Sequence, residues 1–122
     1  MSKNIIVVGG GAAGMLAAYF AAAAGNKVTL LEKNEKLGKK IYITGKGRCN
    51  LTNACDVEEL FLNVKSNSKF LYSAFYGFDN SQVIAFFESH GMPVKVERGN
   101  RVFPVSDKSS DVIFALQRAL KE

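Results

Sequence analysis

Residues 4–14 read NIIVVGGGAAG, a β-branched run that stops at three consecutive glycines. The five residues NIIVV predict a short strand buried on both faces, because a run apolar at successive positions has no side to give to water. Gly9 to Gly11 make a turn. From Ala12 to Ala24 the residues are small or apolar and favour helix, and Gly25 with Asn26 supplies the stop. Residues 27–32, KVTLLE, predict a second strand. Strand, helix and strand within about thirty residues form a βαβ unit, whose strands should run parallel with a right-handed crossover.

The glycine spacing inside that turn carries chemistry. Gly9-x-Gly11-x-x-Gly14 falls between the first strand and the first helix, where a dinucleotide fingerprint must stand. Gly9 permits the tight turn, Gly11 lets the backbone approach a pyrophosphate, and Gly14 lets helix and strand pack with no side chain between them. Unpaired N–H groups and the positive end of the helix dipole would then face the phosphates. Seventeen residues separate Gly14 from Glu32, at the carboxyl end of the second strand. A carboxylate there accepts both hydroxyl protons of an adenosine ribose and repels a 2′-phosphate, which disfavours NADP and leaves FAD and NAD. The alternative is a turn that serves packing alone, beside a solvated strand-end glutamate.

Further along, residues 38–50 read GKKIYITGKGRCN. From Lys33 to Arg48 six bases meet the single acid Glu35, while ten bases and ten acids balance elsewhere, so the whole formal charge of +5 sits in this stretch. A surplus that local implies an anion nearby. The segment is not a P-loop, since Gly45-Lys46 has Lys40 where the motif needs glycine and Gly47 where it needs Ser or Thr.

The remaining pattern fits one α/β domain in a chain of 122 residues, with no repeat or low-complexity stretch. Asp56 can cap a helix to about Val64, an apolar stretch runs from Lys69 to Tyr76, and Asn80 or Ser81 opens a helix ending at His90-Gly91. VKVER and RVFPV predict a hairpin turning on the two residues Gly99-Asn100. SDKSSDVIFALQRALKE, residues 106–122, places a capping Ser or Asp before an amphipathic helix with Val112, Leu116 and Leu120 along one side. Residues 5–24 carry no charge, but their Gly and Ala content and the glycine interruption argue against a signal peptide or a membrane span. Cys49 and Cys55, spaced C-x5-C, fit no zinc knuckle, no C-x-x-C motif and no disulfide framework, so reduced thiols in a cytoplasm are expected. His90 reads as a helix-end cap. No carboxylate pair, metal cluster or nucleophilic triad is visible, and the catalytic residues stay unknown.

The stretch GKKIYITGKGRCNLTN, residues 38–53, resembles the signature of the BaiN-like flavoproteins, also described as aminoacetone-oxidase-family or NAD(P)/FAD-dependent oxidoreductases. RVFPVSDKSSDVIFAL, residues 101–116, is similar to the stretch after that family's first hairpin. The resemblance implies a Rossmann-like FAD-binding domain, here partial: a βαβ unit followed by helices and a β-hairpin. Residues 1–122 would be its N-terminal part, with the inserted substrate domain and the C-terminal FAD-binding segments absent. The implied cofactor is noncovalent FAD, the implied reaction hydride transfer with a small-molecule substrate, and NAD(P)H stays open as a partner. By the same resemblance Gly9, Gly11, Ala12, Ala13 and Gly14 meet the pyrophosphate, and Glu32 with Lys33 holds the adenosine. Lys39, Lys40, Thr44, Gly45, Gly47, Arg48, Cys49 and Asn50 match the family's second cofactor loop. Lys39, Lys40 and Arg48 are the candidates to neutralise the phosphates, Thr44 and Asn50 to hydrogen-bond the ribityl chain or ring edge, and Cys49 to line the loop. Lys36 and Lys46 read as a solvated face. A sheet left incomplete predicts uncovered apolar edges and either association with another copy or poor stability.

Two other readings stay open. Flavin-dependent disulfide reductases place two cysteines soon after the acid, but at C-x4-C, one residue closer than Cys49 and Cys55. A nucleic-acid-binding or RNA-modifying flavoprotein would explain the basic charge, although here the bases are glycine-spaced on one loop rather than striped along a helix. Flavin absorbance distinguishes the first class of function from a salt-dependent mobility shift.

Overall fold

The computed structural model describes residues 1–121; Glu122, the last residue of the expected final helix, lies outside them. β1 (Asn4–Val8) and β2 (Lys27–Leu31) pair in parallel, from Asn4 opposite Lys27 to Val8 opposite Leu31, and α1 (Ala12–Ala23) crosses between them. The βαβ unit stands where the sequence predicts it. Burial on both strand faces does not. The row containing Val7 and Leu30 lies half-buried on the α1 side, while Ile6, Val8 and Leu31 on the opposite row are 66%, 82% and 50% exposed. The reason is that α1 covers one face of a two-stranded sheet and, among the described residues, nothing covers the other.

A second sheet is antiparallel, with β5 (Arg101–Pro104) between β4 (Val94–Glu97) and a two-residue strand β3 (Thr52–Asn53). Its hairpin turns on three residues rather than two. Glu97 pairs with Arg101, and Arg98–Asn100 makes a 3-10 turn in which Gly99 and Asn100 have φ of 74° and 60°.

The basic segment, expected as a loop, is helical at its start: α2 spans Lys39–Ile43, followed by a 3-10 turn over Thr44–Gly47. The buried residue of α2, Ile41, explains the difference, because it lies in the main core against α6 (Ser109–Leu120). α6 is the hub of that core. Val112, Ile113, Ala115, Leu116 and Ala119 meet Met15 of α1 and Phe86 and Phe87 of α5 (Asn80–Ser89), and each large aliphatic group buried there contributes about 1.5–3 kcal/mol. Between β3 and β4 in sequence lie two short helices, α3 (Val57–Leu62) and α4 (Tyr72–Gly77), whose Phe61, Tyr72, Phe75 and Tyr76 rings pack together.

At the N-termini of three helices the caps differ from expectation, the first being α3, where Asp56 holds the N-cap position but makes no side-chain cap hydrogen bond. Asp79, one residue before the expected Asn80 or Ser81, accepts the Gln82 N–H and its own N–H donates to the Gln82 side chain, a reciprocal capping box. At α6 no Ser or Asp caps. Lys108 holds the N-cap position, and Ser109 instead donates its hydroxyl to the Tyr42 carbonyl at 2.6 Å, tying α6 to α2. At the other end of α5 the cation is the Arg118 guanidinium, which donates twice to the His90 carbonyl, while His90 Nδ1 lies 2.8 Å from the Phe86 carbonyl.

Among the described residues no helix is long and apolar enough to cross a membrane, and no group of three or more His, Cys, Asp or Glu could hold a metal ion.

Candidate functional site

At the carboxyl ends of the parallel strands the chain leaves a cleft of about 500 Å³ between the glycine turn and α2. Gly9 closes the turn with φ +104°, donating its N–H to the Leu31 carbonyl at 2.7 Å. Gly14 is required by contact, since a Cβ there would stand 1.7 Å from the Gly9 carbonyl oxygen. Gly11 is the opposite case. Its φ of −84° suits any residue, and a Cβ there would meet nothing within 4 Å. It opens the cleft instead of filling it.

Gly11 is also the N-cap of α1. The helix has no side-chain cap and no acid in its first turn, and Ala12 and Ala13 are exposed. The first N–H groups of a helix have no intrahelical acceptor, so twelve residues of aligned dipole end at an uncapped, electropositive edge of the cleft. Such an end takes an anion. Lys40 and Thr44 line the same cleft over the apolar floor of Ile41, and Thr44 donates its hydroxyl proton to the Ile41 carbonyl, which leaves its oxygen as an acceptor.

Glu32 leaves the end of β2 and turns back. Oε1 accepts the Gly10 N–H at 2.7 Å and Oε2 the Asn34 N–H at 2.8 Å. These backbone donors, Asn34 first and Gly10 second, hold its carboxyl below the usual glutamate range, so it stays ionised beside the turn. Each oxygen keeps a further lone pair for a ribose hydroxyl.

Three residues that sequence reasoning passed over complete this corner. A Cβ on Gly10 would stand 2.3 Å from Leu37 Cδ2, and Gly38 donates its N–H to the Gly10 carbonyl at 2.8 Å. The middle glycine is therefore where the second loop is stitched to the first. The one available signal was a glycine at the position between Gly9 and Gly11, where the fingerprint does not need one.

The structure thus gathers Gly9, Gly11, Ala12, Ala13, Gly14, Lys40 and Thr44 around one cleft, with Glu32 bonded to its turn. It places the other expected residues elsewhere. Lys33 is exposed beyond β2, and Lys39 lines a neighbouring groove formed with Asn34, Tyr42 and Ile113. Gly45 and Gly47 hold left-handed backbone in the 3-10 turn. Asn50 donates its side-chain amide to the Thr52 carbonyl. Cys49 is buried, which pushes its thiol up, and Cys55 is raised chiefly by burial as well; both are free thiols. Arg48, expected at the phosphates, gives its guanidinium to Glu97 and Asp107.

The parallel βαβ unit and the glycine cleft at its strand ends define a Rossmann-type α/β domain. The chain belongs to the family described as HI0933-like protein Rossmann domain, which matches residues 3–122 and bears out the family drawn from GKGRCNLTN. It is also 35% identical over 95 residues to a 3-dehydro-bile acid delta(4,6)-reductase from Clostridium scindens. That match covers 78% of this chain and 22% of the relative, so the chain spans about a fifth of the relative's length.

Proposed function

We propose that this chain seats the ADP half of FAD in a flavin-dependent oxidoreductase. One observation carries the reading: an uncapped helix N-terminus meets a glycine whose missing side chain opens onto the cleft. The diphosphate would lie against the N–H groups of Gly11 to Gly14, with the Lys40 ammonium neutralising it from the facing wall. Glu32 would orient the adenosine ribose, already ionised and held by Gly10 and Asn34. Bound there, FAD supplies the hydride chemistry, and the protein supplies position and electrostatics. The substrate class is a small molecule. The relative's name supports a reductive direction, for which NAD(P)H is the natural donor. Two free thiols, one buried, suit a cytoplasmic setting. The exposed row of Ile6, Val8 and Leu31 supports association with another copy.

The competing readings lose support from two features. Raised thiols disfavour the thiolate that disulfide exchange needs. Arg48 is neutralised within the chain, which reduces the positive charge offered to nucleic acid.

Fluorescence titration of FAD, with ADP and adenosine 2′,5′-bisphosphate as competitors, tests the reading. ADP should displace FAD, the 2′-phosphorylated competitor should not, and Glu32→Ala should weaken FAD about ten- to a hundredfold. Equal competition by the 2′-phosphate, or no saturable FAD binding, contradicts it.

A further inference from the structure

Arg48 belongs to a cluster of four charges drawn from three parts of the chain. Its Nε donates to Asp107 Oδ1 at 2.8 Å and its Nη2 to Glu97 Oε2, while Lys95 reaches Asp107 Oδ2 at 2.7 Å and Glu97 Oε2 at 3.3 Å. Two bases face two acids, so the cluster is neutral and has no surplus for a ligand. The guanidinium also lies over Phe103, its Cζ 3.9 Å from the ring centroid, and Phe103 is itself buried in β5. Carboxylates on β4 and on the turn after β5 grip it from two sides, above an aromatic floor. A planar guanidinium meets both acids while lying flat on the ring; a lysine in its place could bridge two acids, as Lys95 does, but has no plane to stack and no parallel donors to fix its direction.

What the cluster holds is a segment with little packing of its own. Residues 42–47 are exposed, and Gly45, Lys46, Gly47 and Cys49 all have positive φ. Immediately beyond Arg48 the chain is pinned, by buried Cys49 and by the Leu51 N–H on the Val102 carbonyl at 2.8 Å. Lys40, on α2, and Thr44, which opens the turn, stand on the wall of the glycine cleft.

We propose that Arg48 is a positioning residue: it clamps the Thr44–Asn50 loop to the β4–β5 hairpin and thereby sets Lys40 and Thr44 at the cleft, without touching the diphosphate. This rests on the reading of the cleft as the FAD diphosphate site. The clamp itself can be tested without cofactor.

Glu97→Gln combined with Asp107→Asn releases Arg48 while keeping its charge. Clamping predicts that FAD affinity then falls about tenfold, and that Arg48→Lys does the same. A direct phosphate partner predicts the reverse, with the released arginine binding FAD as well or better and the lysine keeping most of the affinity; that result overturns the proposal. Lys40→Met should weaken FAD in the wild type but add little in the Arg48→Lys background, a coupling that a merely structural arginine does not produce. Full additivity counts against positioning. Amide hydrogen exchange, with no ligand present, should speed up over residues 45–51 in both variants while α1 and β2 keep wild-type rates. Unchanged exchange at 45–51 refutes the clamp. Absence of FAD binding by the wild type refutes the reading of the cleft, with the exchange rates still deciding the clamp.

Discussion

At residues 9–14 the glycines at 10 and 14 are pressed against other atoms, whereas at residues 45–47 glycine answers a demand of the backbone, joined at Gly45 by a close backbone neighbour. Gly14 faces the Gly9 carbonyl at a distance no side chain tolerates, and Gly10 faces Leu37. Gly45 and Gly47 instead occupy φ of 55° and 85°, and the residues around them reach left-handed backbone even without glycine's freedom, as Lys46 and Cys49 show. The cations differ in the same way. Lys40 stands on the cleft, while Arg48, eight residues on, is spent inside the protein. Glycine and positive charge are thus poor guides to a ligand by themselves. What they touch decides.

Substitutions to alanine turn that contrast into a scale. Gly14→Ala should cost the most, about 3 kcal/mol or outright failure to fold, because the clash is with backbone that cannot move aside. Urea denaturation measures it, and a cost under about 1 kcal/mol would break the packing argument. Gly45→Ala comes next, at about 2 kcal/mol, combining a left-handed backbone with a Cβ 2.7 Å from the Asn50 nitrogen. Gly10→Ala should cost about 1 kcal/mol, since the obstacle is the end of a flexible leucine, and Leu37→Ala in the same chain should relieve part of it.

Acid should act more gently. Glu32, Glu97 and Asp107 all have depressed pKa values in the folded chain, Glu32 through backbone N–H groups and the other two through Arg48 and Lys95. Their stabilisation is present above their ordinary carboxylate values and is lost as pH falls through the depressed ones. The melting temperature should therefore decline below about pH 4.5, and less steeply in Glu32→Gln. A flat profile down to pH 3 would show that these contacts do not persist in solution.

The first of the two regions was legible in sequence, apart from the stitch of Gly10 to Leu37 and Gly38, because most of what fixes it is local. A β-branched run, a glycine spacing and a strand-end acid all lie within residues 4–32, and the fold places them as read. The second was legible only as composition. Arg48 meets its acids 49 and 59 positions away, a pairing that no window of sequence displays. α2 was hidden by its lysines and flanking glycines, its buried residue recognisable only once α6 was in place. β3 has two residues, both polar, and takes its identity wholly from the edge of β5. The exposed rows of β1 and β2 were misread for a related reason: a run of apolar residues reports what a strand can bury, and the layers present decide what it does bury.

At the far end of the alanine scale stands Gly11, where an added methyl touches nothing and the backbone needs no glycine. FAD affinity and melting temperature measured together on Gly11→Ala test the cleft most directly. The account predicts a melting temperature within about 1 °C of the wild type and FAD binding weakened tenfold or more, on the order of the cost of displacing a bound phosphate from its N–H donors. Undiminished FAD binding by that variant would contradict the account, because the diphosphate would then lie somewhere other than against the open edge of α1.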